Sequence, residues 1–588
     1  MERTETAMVN LVINDIEITA REGDSVLDAA KNAGIQIPHL CYLNMHNTGI
    51  LNMPATCRVC TVEQVDGDNS KLVPACTTFV SDGMVIYTSS KTARNARRTI
   101  IELILSDHPF NCLSCVKNLH CDLQKLAAEL DIKTNYYGDI SIKAKEDSSN
   151  YSVVRDPNKC ILCRRCEEVC SNVQSVGVLT CIGKGFNTTV GTAFRKPLNE
   201  TQCTYCGQCV AVCPTGALSG VSGTKEIWSV LTDPDKYVVV QTAPAVRAAM
   251  GEILNLPPET NLTGQMVAAL KKLGFDKVLD TNFGADVTVM EESTEFISRL
   301  RNNERLPLIT SCCPSGIKFC EHHYPDLLEH PSSCKSPQEV FGAIAKSYLA
   351  EKLGVDPLKM VCVSIMPCLA KKYEARREEL QSDGIPNVDI ALSTRELCQM
   401  IKEAGILSKQ LPDEKFDSFM GVSSGAADIF GTTGGVMEAL LRSFYERSTG
   451  KRLGNLEFES LRGFKGAGIK EAAIDFEGRE IRVAVAHGLR NARMLLDDVR
   501  AGKSKYHAIE VMACPGGCIA GGGQPLHHSN EDILHRRREI LYKEDRNKEL
   551  RRSHENTEVI KLYEEYLGEP NSEKACALLH TVYTKREV

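Results

Sequence analysis

Two cysteine runs constrain the fold of this chain more than any other feature of its sequence. Residues 160–170 read CILCRRCEEVC and residues 203–213 read CTYCGQCVAVC, so each run has the spacing C-x2-C-x2-C-x3-C. This spacing binds a pair of 4Fe-4S clusters, and the fourth cysteine of each run binds the cluster of the other run. One cluster is therefore predicted on Cys160, Cys163, Cys166 and Cys213, and the other on Cys203, Cys206, Cys209 and Cys170.

The chain has 588 residues, 26 of them cysteine, and a net charge of -7. Its N-terminus lacks the basic head and apolar run of an export signal, and no stretch of about 18 apolar residues predicts a membrane span. We therefore expect a cytoplasmic protein, in which clustered cysteines are metal ligands or redox groups rather than disulfides. Without a basic excess, nucleic-acid binding is not expected.

Residues 1–92 predict two strands, in VNLVINDIEITA, and a helix, in DSVLDAAKNAG. Four cysteines follow, with a C-x2-C pair at the centre: Cys41, Cys57, Cys60 and Cys76. The gaps on both sides of that pair differ from the plant-type spacing. A 2Fe-2S cluster and a tetrahedral zinc site both fit these ligands.

Residues 93–133 predict a helical segment that carries one histidine and three cysteines, His108, Cys112, Cys115 and Cys121. One imidazole and three thiolates bind either zinc or a 4Fe-4S cluster, so the ligands alone do not decide between them. The cysteine runs that come next in the chain favour the iron-sulfur cluster.

From residue 225 the pattern becomes α/β, with apolar strands that are each followed by a loop and a helix. In three of four such units a cysteine appears where the strand ends: Cys312 and Cys313, Cys368, and Cys514 with Cys518. Ligands of open α/β sheets bind outside the carboxyl ends of strands, so one shared cofactor pocket is predicted. Separate buried thiols are the alternative. The glycines around Cys514 and Cys518 favour the pocket, because they let the backbone approach a bulky ligand.

At these residues the chain resembles the FeFe-hydrogenases. Three signatures carry the resemblance, and they read TSCCPSG at 310–316, MPCLAKKYE at 366–374 and EVMACPGGCIAGGGQP at 510–525. The resemblance implies an α+β and α/β multidomain fold. Its parts would be an N-terminal β-grasp ferredoxin-like domain (1–92), a helical one-His/three-Cys module (93–133), a two-cluster ferredoxin domain (134–224) and a two-lobed α/β catalytic domain (225–588).

The resemblance also implies a six-iron H-cluster, a 4Fe-4S cubane joined to a two-iron subsite. Its cubane ligands would be Cys313, Cys368, Cys514 and Cys518, and Cys518 would bridge to the two irons. Lys371 would contact the cyanide ligands of those irons. The pocket would be lined by Ala243, Pro244, Met366 and Met512, for which packing in the core is the alternative.

A proton route is implied as well, through Cys312, Glu292, Ser332, Glu295 and Arg299. The three charged residues lie at spacing i, i+3, i+7 in VTVMEESTEFISRL and would share one helix face. From the sequence alone, a solvated charged face explains the same spacing. A thiol suits the last position because it both donates and accepts a proton.

The implied reaction is the reversible oxidation of H2 to protons and electrons, with electrons relayed through iron-sulfur clusters. The expected partners are ferredoxin, flavin- and NAD(P)-binding hydrogenase subunits, and proteins that mature the H-cluster. A hydrogen sensor or a non-catalytic iron-sulfur scaffold is the alternative. One departure from the family pattern concerns Ser315 and Gly316, which stand where Gly-Trp is usual. Six cysteines remain as buried or free thiols: Cys181, Cys320, Cys334, Cys362, Cys398 and Cys576.

Overall fold

The computed structural model of the chain describes residues 7–45, 50–52, 55–134, 137, 145–257, 259–463, 468–528 and 530–587. Among these residues, no helix combines the length and the apolar character needed to cross a membrane.

The N-terminal domain is built on a five-stranded sheet of order β2-β1-β7-β5-β6, in which β1 and β7 are parallel. Leu11 and Ile13 of β1 point into its core, and Ser25 caps the one helix through a bond from the Asp28 amide. The two predicted strands and the helix are confirmed, whereas the hairpin β5–β6 and strand β7 were not predicted. The elements are β1 Met8–Ile13, β2 Ile16–Arg21, α1 Val26–Asn32, β3 Leu43–Met45, β4 Ile50–Asn52, β5 Thr61–Asp66, β6 Asn69–Pro74 and β7 Val85–Tyr87.

The next segment contains two helices, α2 Lys91–Ser106 and α3 Asp122–Glu129. The stretch between them is not helical apart from one 3-10 turn at Cys112–Ser114. The prediction of a helical segment is thus correct at its ends and wrong in the middle. Pro109 lies just after α2, where its ring disfavours helical continuation.

The two cysteine runs fold alike. In each run the second and fourth residues after the first cysteine have positive φ, namely Leu162 and Arg164 in one run, and Tyr205 and Gly207 in the other. A short helix follows each curled loop, and two antiparallel strand pairs, β8 with β11 and β9 with β10, complete the unit. The elements are β8 Val153–Arg155, α4 Arg165–Glu168, β9 Thr180–Ile182, β10 Thr189–Gly191, α5 Gln208–Val212 and β11 Leu218–Gly220.

The C-terminal part has two lobes, each with a four-stranded sheet. The first sheet is parallel, in the order β13-β12-β15-β16. The second has the order β14-β19-β18-β17, in which only β17 runs antiparallel to its neighbour. The strands are β12 Tyr237–Thr242, β13 Lys277–Asp280, β14 Leu308–Ile309, β15 Met360–Met366, β16 Ile390–Ser393, β17 Ile469–Phe476, β18 Arg479–His487 and β19 Ala508–Met512.

Helices cover both sheets, and the longest, of 22 residues, lies between the lobes' cores. The helices are α6 Thr224–Leu231, α7 Pro244–Arg247, α8 Gly251–Leu254, α9 Thr263–Leu273, α10 Thr281–Asn302, α11 Pro314–His323, α12 Pro337–Ile344, α13 Ala350–Leu353, α14 Ala370–Glu374, α15 Thr394–Glu403, α16 Gly425–Asp428, α17 Gly435–Thr449, α18 Leu489–Arg500, α19 Glu531–Asn547, α20 Thr557–Leu562 and α21 Glu573–Leu579. The last two helices return to the first lobe, where Val559, Leu562 and Leu579 join the core around Phe283 and Phe341.

Candidate metal centres and active site

The first four candidate ligands meet at one end of the N-terminal domain. Pairing of β5 with β6 brings Cys60 and Cys76 together, and the amide of Ala75, which precedes Cys76, donates to the Cys60 carbonyl at 3.1 Å. The Cys41 thiol is in hydrogen-bond contact with Cys57 and Cys76, and all four side chains are buried. The fold therefore gathers four thiols from three separate segments of the sequence.

The second set lies where α2 ends and α3 begins. His108 follows α2. Cys112 begins the 3-10 turn, Cys115 comes directly after that turn, and Cys121 is the N-cap of α3. Burial lowers the pKa of His108 to about 4, so its imidazole is neutral at physiological pH. Its Nδ1 is buried and has no hydrogen-bond partner within the described residues. A neutral ring with an unused nitrogen is what a metal ligand requires.

The two cysteine runs surround two cavities. One, of about 450 Å³, is lined by Cys160, Cys163, Cys166 and Cys213. The other, of about 480 Å³, is lined by Cys170, Cys203, Cys206 and Cys209. In each cavity three cysteines come from one run and the fourth from the other, which is the exchange that the spacing predicts.

The ligand atoms of a single metal ion must lie closer to one another than the ligand atoms of an iron-sulfur cluster. Four sulfurs on one zinc ion at about 2.3 Å would lie about 3.8 Å from one another. Among the described residues, only Glu446, His554 and Glu555 form a group of three or more such ligand atoms that all lie within 4.8 Å. Arginines already pair with both of those glutamates, at 2.8 Å in each case. No cysteine set is that tight, and the wider sets suit multi-iron clusters.

The pocket predicted between the strand ends is present. Its volume is about 570 Å³, and it lies beyond the carboxyl ends of β12, β14, β15 and β19. Eight of the predicted site residues line it: Ala243, Pro244, Cys312, Met366, Cys368, Lys371, Met512 and Cys518. A pocket of this kind, mostly apolar with a few convergent polar groups, is typical of a cofactor site.

The remaining two candidate ligands lie beside this pocket. The Cys313 thiol accepts a hydrogen bond from the Ala513 amide at 3.4 Å, so the first and third signatures are in contact. The Cys514 thiol accepts from Gln208 Nε2 at 3.1 Å, and Gln208 precedes Cys209 of the second cysteine run. The four thiols therefore lie between the pocket and the cavity of that run.

Three glycines of the third signature lie in close contact with protein backbone. A Cβ at Gly517, Gly521 or Gly522 would lie 2.4 Å from the Thr433 amide nitrogen, 2.2 Å from the Pro367 carbonyl oxygen, or 2.6 Å from the Gly207 carbonyl oxygen. These glycines allow close packing of protein backbone on protein backbone. This packing brings the signatures together, and close approach of the same backbone to a ligand stays a prediction.

The charged residues on α10 are buried rather than solvated. Glu292 is 0% exposed, Glu295 8% and Arg299 3%, so the interpretation as a solvated face is wrong. Arg299 donates to Glu295 at 2.6 Å, and the Ser332 hydroxyl donates to the same carboxylate at 2.8 Å. Burial raises the pKa of Glu292 to about 8, and the Glu295 carboxylate adds to the shift.

Glu292 lies between the Glu295–Arg299 ion pair and the pocket. Its Oε1 lies 3.4 Å from the Ser311 hydroxyl, and its Oε2 has no partner among the described residues. Burial and the nearby Glu292 charge raise the pKa of the Cys312 thiol well above its ordinary value. The five residues predicted for a proton route are thus all buried. Hydrogen bonds join Ser332, Glu295 and Arg299, and the Glu292 charge acts on Cys312 at the pocket.

Lys371 is held at the pocket wall by two bonds of 2.7 Å, to the Ser336 hydroxyl and to Glu374 Oε2.

The unusual Ser315-Gly316 pair lies at the start of α11. A Cβ at Gly316 would be 3.1 Å from Val511 Cγ1, so an aromatic ring there would displace Val511. Because Gly316 has no side chain, Val511 has room to pack at this position.

Sequence reasoning missed Gln208 and the C-terminal residues His580 and Tyr583. His580 contacts Ser333 and Glu291, and Tyr583 contacts Ser311. No spacing or motif marks them, since each acquires its place only through contacts more than 200 residues away in sequence.

Comparisons with known proteins agree with this geometry. Residues 236–522 match the family described as iron only hydrogenase large subunit, C-terminal domain, and residues 531–586 match iron hydrogenase small subunit. Residues 6–91 match a 2Fe-2S iron-sulfur cluster binding domain, 97–135 the NADH-ubiquinone oxidoreductase-G iron-sulfur binding region, and 196–219 a 4Fe-4S binding domain.

Two relatives match almost the whole chain. NADP-reducing hydrogenase subunit HndD of Solidesulfovibrio fructosivorans is 51% identical over 99% of this chain and 100% of its own. Iron hydrogenase 1 of Clostridium pasteurianum is 38% identical over 98% and 100%. A solved FeFe-hydrogenase HydA1 variant from Chlamydomonas reinhardtii is 43% identical with a TM-score of 0.56, and the match covers 63% of this chain and 100% of that one. The chain therefore belongs to the family of iron-only hydrogenases, enzymes that interconvert H2 with protons and electrons at an iron centre.

Proposed function

We propose that the four thiols Cys313, Cys368, Cys514 and Cys518 hold the six-iron H-cluster, with Cys518 as the bridging ligand. The observation that carries this proposal is the convergence of all three signatures on one apolar pocket of about 570 Å³. Beside that pocket stands a thiol, Cys312, that is not among the four ligands. When bound, the cluster supplies an open iron site that polarises H2 and accepts its electrons.

Protons would move along the buried group that begins at Cys312. In the direction of H2 oxidation, Glu292 would first release its proton toward Ser332 and Glu295. The Cys312 thiol would then pass its proton to the Glu292 carboxylate and regain one from the reacting centre. A pKa of about 8 lets Glu292 both hold and release a proton near neutral pH. Arg299, 2.6 Å from Glu295, keeps the outer carboxylate oriented.

Lys371 would also orient the two-iron subsite. Its ammonium is fixed by Ser336 and Glu374, so it presents a positive charge at the pocket wall with little freedom to move. Ala243, Pro244, Met366 and Met512 would exclude water from the reacting centre.

Electrons would pass through four further clusters. The proposed ligands are Cys41, Cys57, Cys60 and Cys76 for a 2Fe-2S cluster, His108, Cys112, Cys115 and Cys121 for a 4Fe-4S cluster, and the two exchanged cysteine sets for two more. A histidine ligand lacks thiolate charge, which tends to raise the potential of its cluster relative to an all-cysteine one. The proposed domains remain 1–92, 93–133, 134–224 and 225–588.

The electron partner that we propose is a flavin- and NAD(P)-binding subunit in the cytoplasm. The 51% identity to a subunit named NADP-reducing supports it, and the chain itself has no G-x-G-x-x-G fingerprint for a dinucleotide. Purification from the native source tests this: a flavoprotein should copurify and reduce NADP with H2. A chain that purifies alone and reacts with ferredoxin only would contradict it.

The hydrogenase site is tested by Cys312→Ser in protein matured with its iron-sulfur cofactors. Loss of the thiol should lower the rate of H2 evolution from reduced viologen by roughly 10²–10⁴-fold, which is the usual contribution of a positioned acid-base group. Infrared bands of the cyanide and carbonyl ligands should persist. Cys320→Ser, which alters a buried thiol within α11, is the control and should keep the wild-type rate. A fully loaded wild type without activity would contradict the proposal.

A further inference from the structure

The C-terminal segment, residues 571–586, contacts the loop that carries the relay serine. The Thr581 amide donates to the Ser333 carbonyl and the Lys335 amide donates to the Leu579 carbonyl, both at 2.8 Å. Cys334 and His580 form an isolated antiparallel bridge between these two bonds. The segment therefore pairs with the loop of residues 332–335 like a short strand.

The side chain of His580 joins this loop to α10. Its Nδ1 lies 2.8 Å from the Ser333 hydroxyl, and its Nε2 lies 3.0 Å from Glu291 Oε2. Glu291 is fully buried and also accepts from the Tyr563 hydroxyl and from the Asn571 amide at 2.7 Å. Both ring nitrogens are thus used, one on each of the two elements that bear the relay.

These two elements carry adjacent relay residues. Ser333 follows Ser332, whose hydroxyl donates to Glu295 at 2.8 Å, and the Ser333 amide lies 3.5 Å from the other oxygen of that carboxylate. Glu291 precedes Glu292 on α10. A shift of the loop relative to α10 would therefore change the Ser332–Glu295 contact directly.

The same segment reaches the inner end of the relay. Tyr583 lies close enough to Ser311 to affect its own pKa, and the Ser311 hydroxyl lies 3.4 Å from Glu292. Three residues later, Arg586 forms ion pairs with Glu321 and Glu379 that anchor the segment. The segment spans the relay from Ser311 to Ser333.

We propose that His580 is a positioning residue of the proton relay, which fixes the Ser332 loop against α10 by bonding Ser333 and Glu291 at once. This inference rests on the proposed relay from Cys312 to Arg299. A hydroxyl passes a proton only when donor and acceptor are within hydrogen-bond distance, so a small displacement of Ser332 slows every transfer through it. His580 itself touches neither the pocket nor the reacting atoms.

The primary test replaces His580 by phenylalanine, which fills the space and removes both bonds. We expect kcat for H2 evolution to fall by about tenfold, in line with the cost of misplacing a group near the chemistry. The KM for viologen should stay constant, and the solvent deuterium isotope effect on kcat should rise because proton transfer becomes rate-limiting. A purely structural defect would instead reduce the loaded fraction without changing the isotope effect.

The chain offers a closely matched control. His554 also lies between a glutamate and a serine, with Nε2 3.3 Å from Glu446 and Nδ1 3.0 Å from Ser443, but it contacts no relay residue. His554→Phe should leave kcat and the isotope effect at their wild-type values. If both phenylalanine variants change the isotope effect alike, the inference is wrong.

A second pair of variants tests the same inference if His580→Phe fails to fold. Ser333→Ala keeps the histidine but cuts its bond to the loop, and it should lower kcat and raise the isotope effect. Ser333→Thr restores a hydroxyl and should recover most of the loss. Wild-type behaviour of Ser333→Ala would overturn the inference.

Glu292→Gln separates this inference from the proposed relay. If Glu292→Gln is inactive while His580→Phe matches the wild type, the relay stands and the positioning role fails. If Glu292→Gln retains full activity, the relay itself fails, and with it the basis of the inference.

Discussion

At the scale of single residues, α10 carries five buried ionisable side chains, and those near its C-terminal half make two different sets of contacts. Glu292, Glu295 and Arg299 belong to the proposed relay, whereas Glu291 binds the C-terminal segment. Their spacing in the sequence predicted one shared face. It could not predict burial, because the apolar cover comes from distant elements such as α17 and the C-terminal segment.

The raised pKa of Glu292 makes stability depend on pH. The folded protein holds this proton up to about pH 8, whereas the ordinary value of the carboxyl is 4.5. Between these values the native state binds more protons than the unfolded chain, so stability falls as pH rises, by up to about 1.4 kcal/mol per pH unit. Urea unfolding of Glu292→Gln should lack this component, so the variant gains on the wild type from about pH 5 to 8.

The exposed Glu329→Gln serves as control for that measurement and should track the wild type at every pH. Equal pH dependence of Glu292→Gln and wild type would show that Glu292 is ionised in the folded protein. Its role as a group that both holds and releases a proton would then be untenable.

At the scale of elements, the two cysteine runs repeat one backbone trace. Positive φ at equivalent positions curls each loop around its cavity, and the helix that follows carries the fourth cysteine away toward the other cavity. The spacing of the cysteines predicted this exchange, because the local backbone geometry of each run directs its fourth cysteine away from the first three.

The exchange predicts which cluster each variant loses. Cys170→Ser should remove the electron paramagnetic resonance signal of the cluster on Cys203, Cys206 and Cys209, although Cys170 belongs to the other run. Cys213→Ser should remove the signal of the cluster on Cys160, Cys163 and Cys166. Cys181→Ser, outside the pattern, should leave both signals intact. Loss of the signal from the variant's own run would contradict the exchange.

At the scale of the whole molecule, side chains near the proposed cluster ligands join different parts of the chain. Arg165 beside Cys166 donates to the Tyr42 carbonyl at 2.8 Å, and Lys117 donates to the Cys213 carbonyl at 3.1 Å. Gln208 beside Cys209 donates to the Cys514 thiol at 3.1 Å. The contacts between domains thus lie where electrons would cross from one cluster to the next.

Gln208→Leu tests the last of these crossings. A hydrogen bond to a ligating sulfur stabilises the reduced, more negative cluster, so its loss should lower the reduction potential of the H-cluster cubane. Redox titration followed by electron paramagnetic resonance measures the shift, and the rate of H2 evolution should fall several-fold.

Gln174→Leu is a matched control, because Gln174 is equally buried and joins the same two domains through the Ala513 carbonyl at 2.9 Å rather than through sulfur. It should leave the potential unchanged. An equal shift in both variants would assign the effect to the domain contact instead of the bond to Cys514.

The sequence by itself determined the cysteine sets, the α/β character of the C-terminal part and the position of three signatures at strand ends, because these depend on local spacing and periodicity. Tertiary structure alone decided that the charges of α10 are buried, that the glycines of the third signature pack on Pro367, Thr433 and Gly207, and that His580 meets Ser333 and Glu291. Burial and long-range contacts depend on which surfaces of distant segments meet, and no local pattern encodes that meeting.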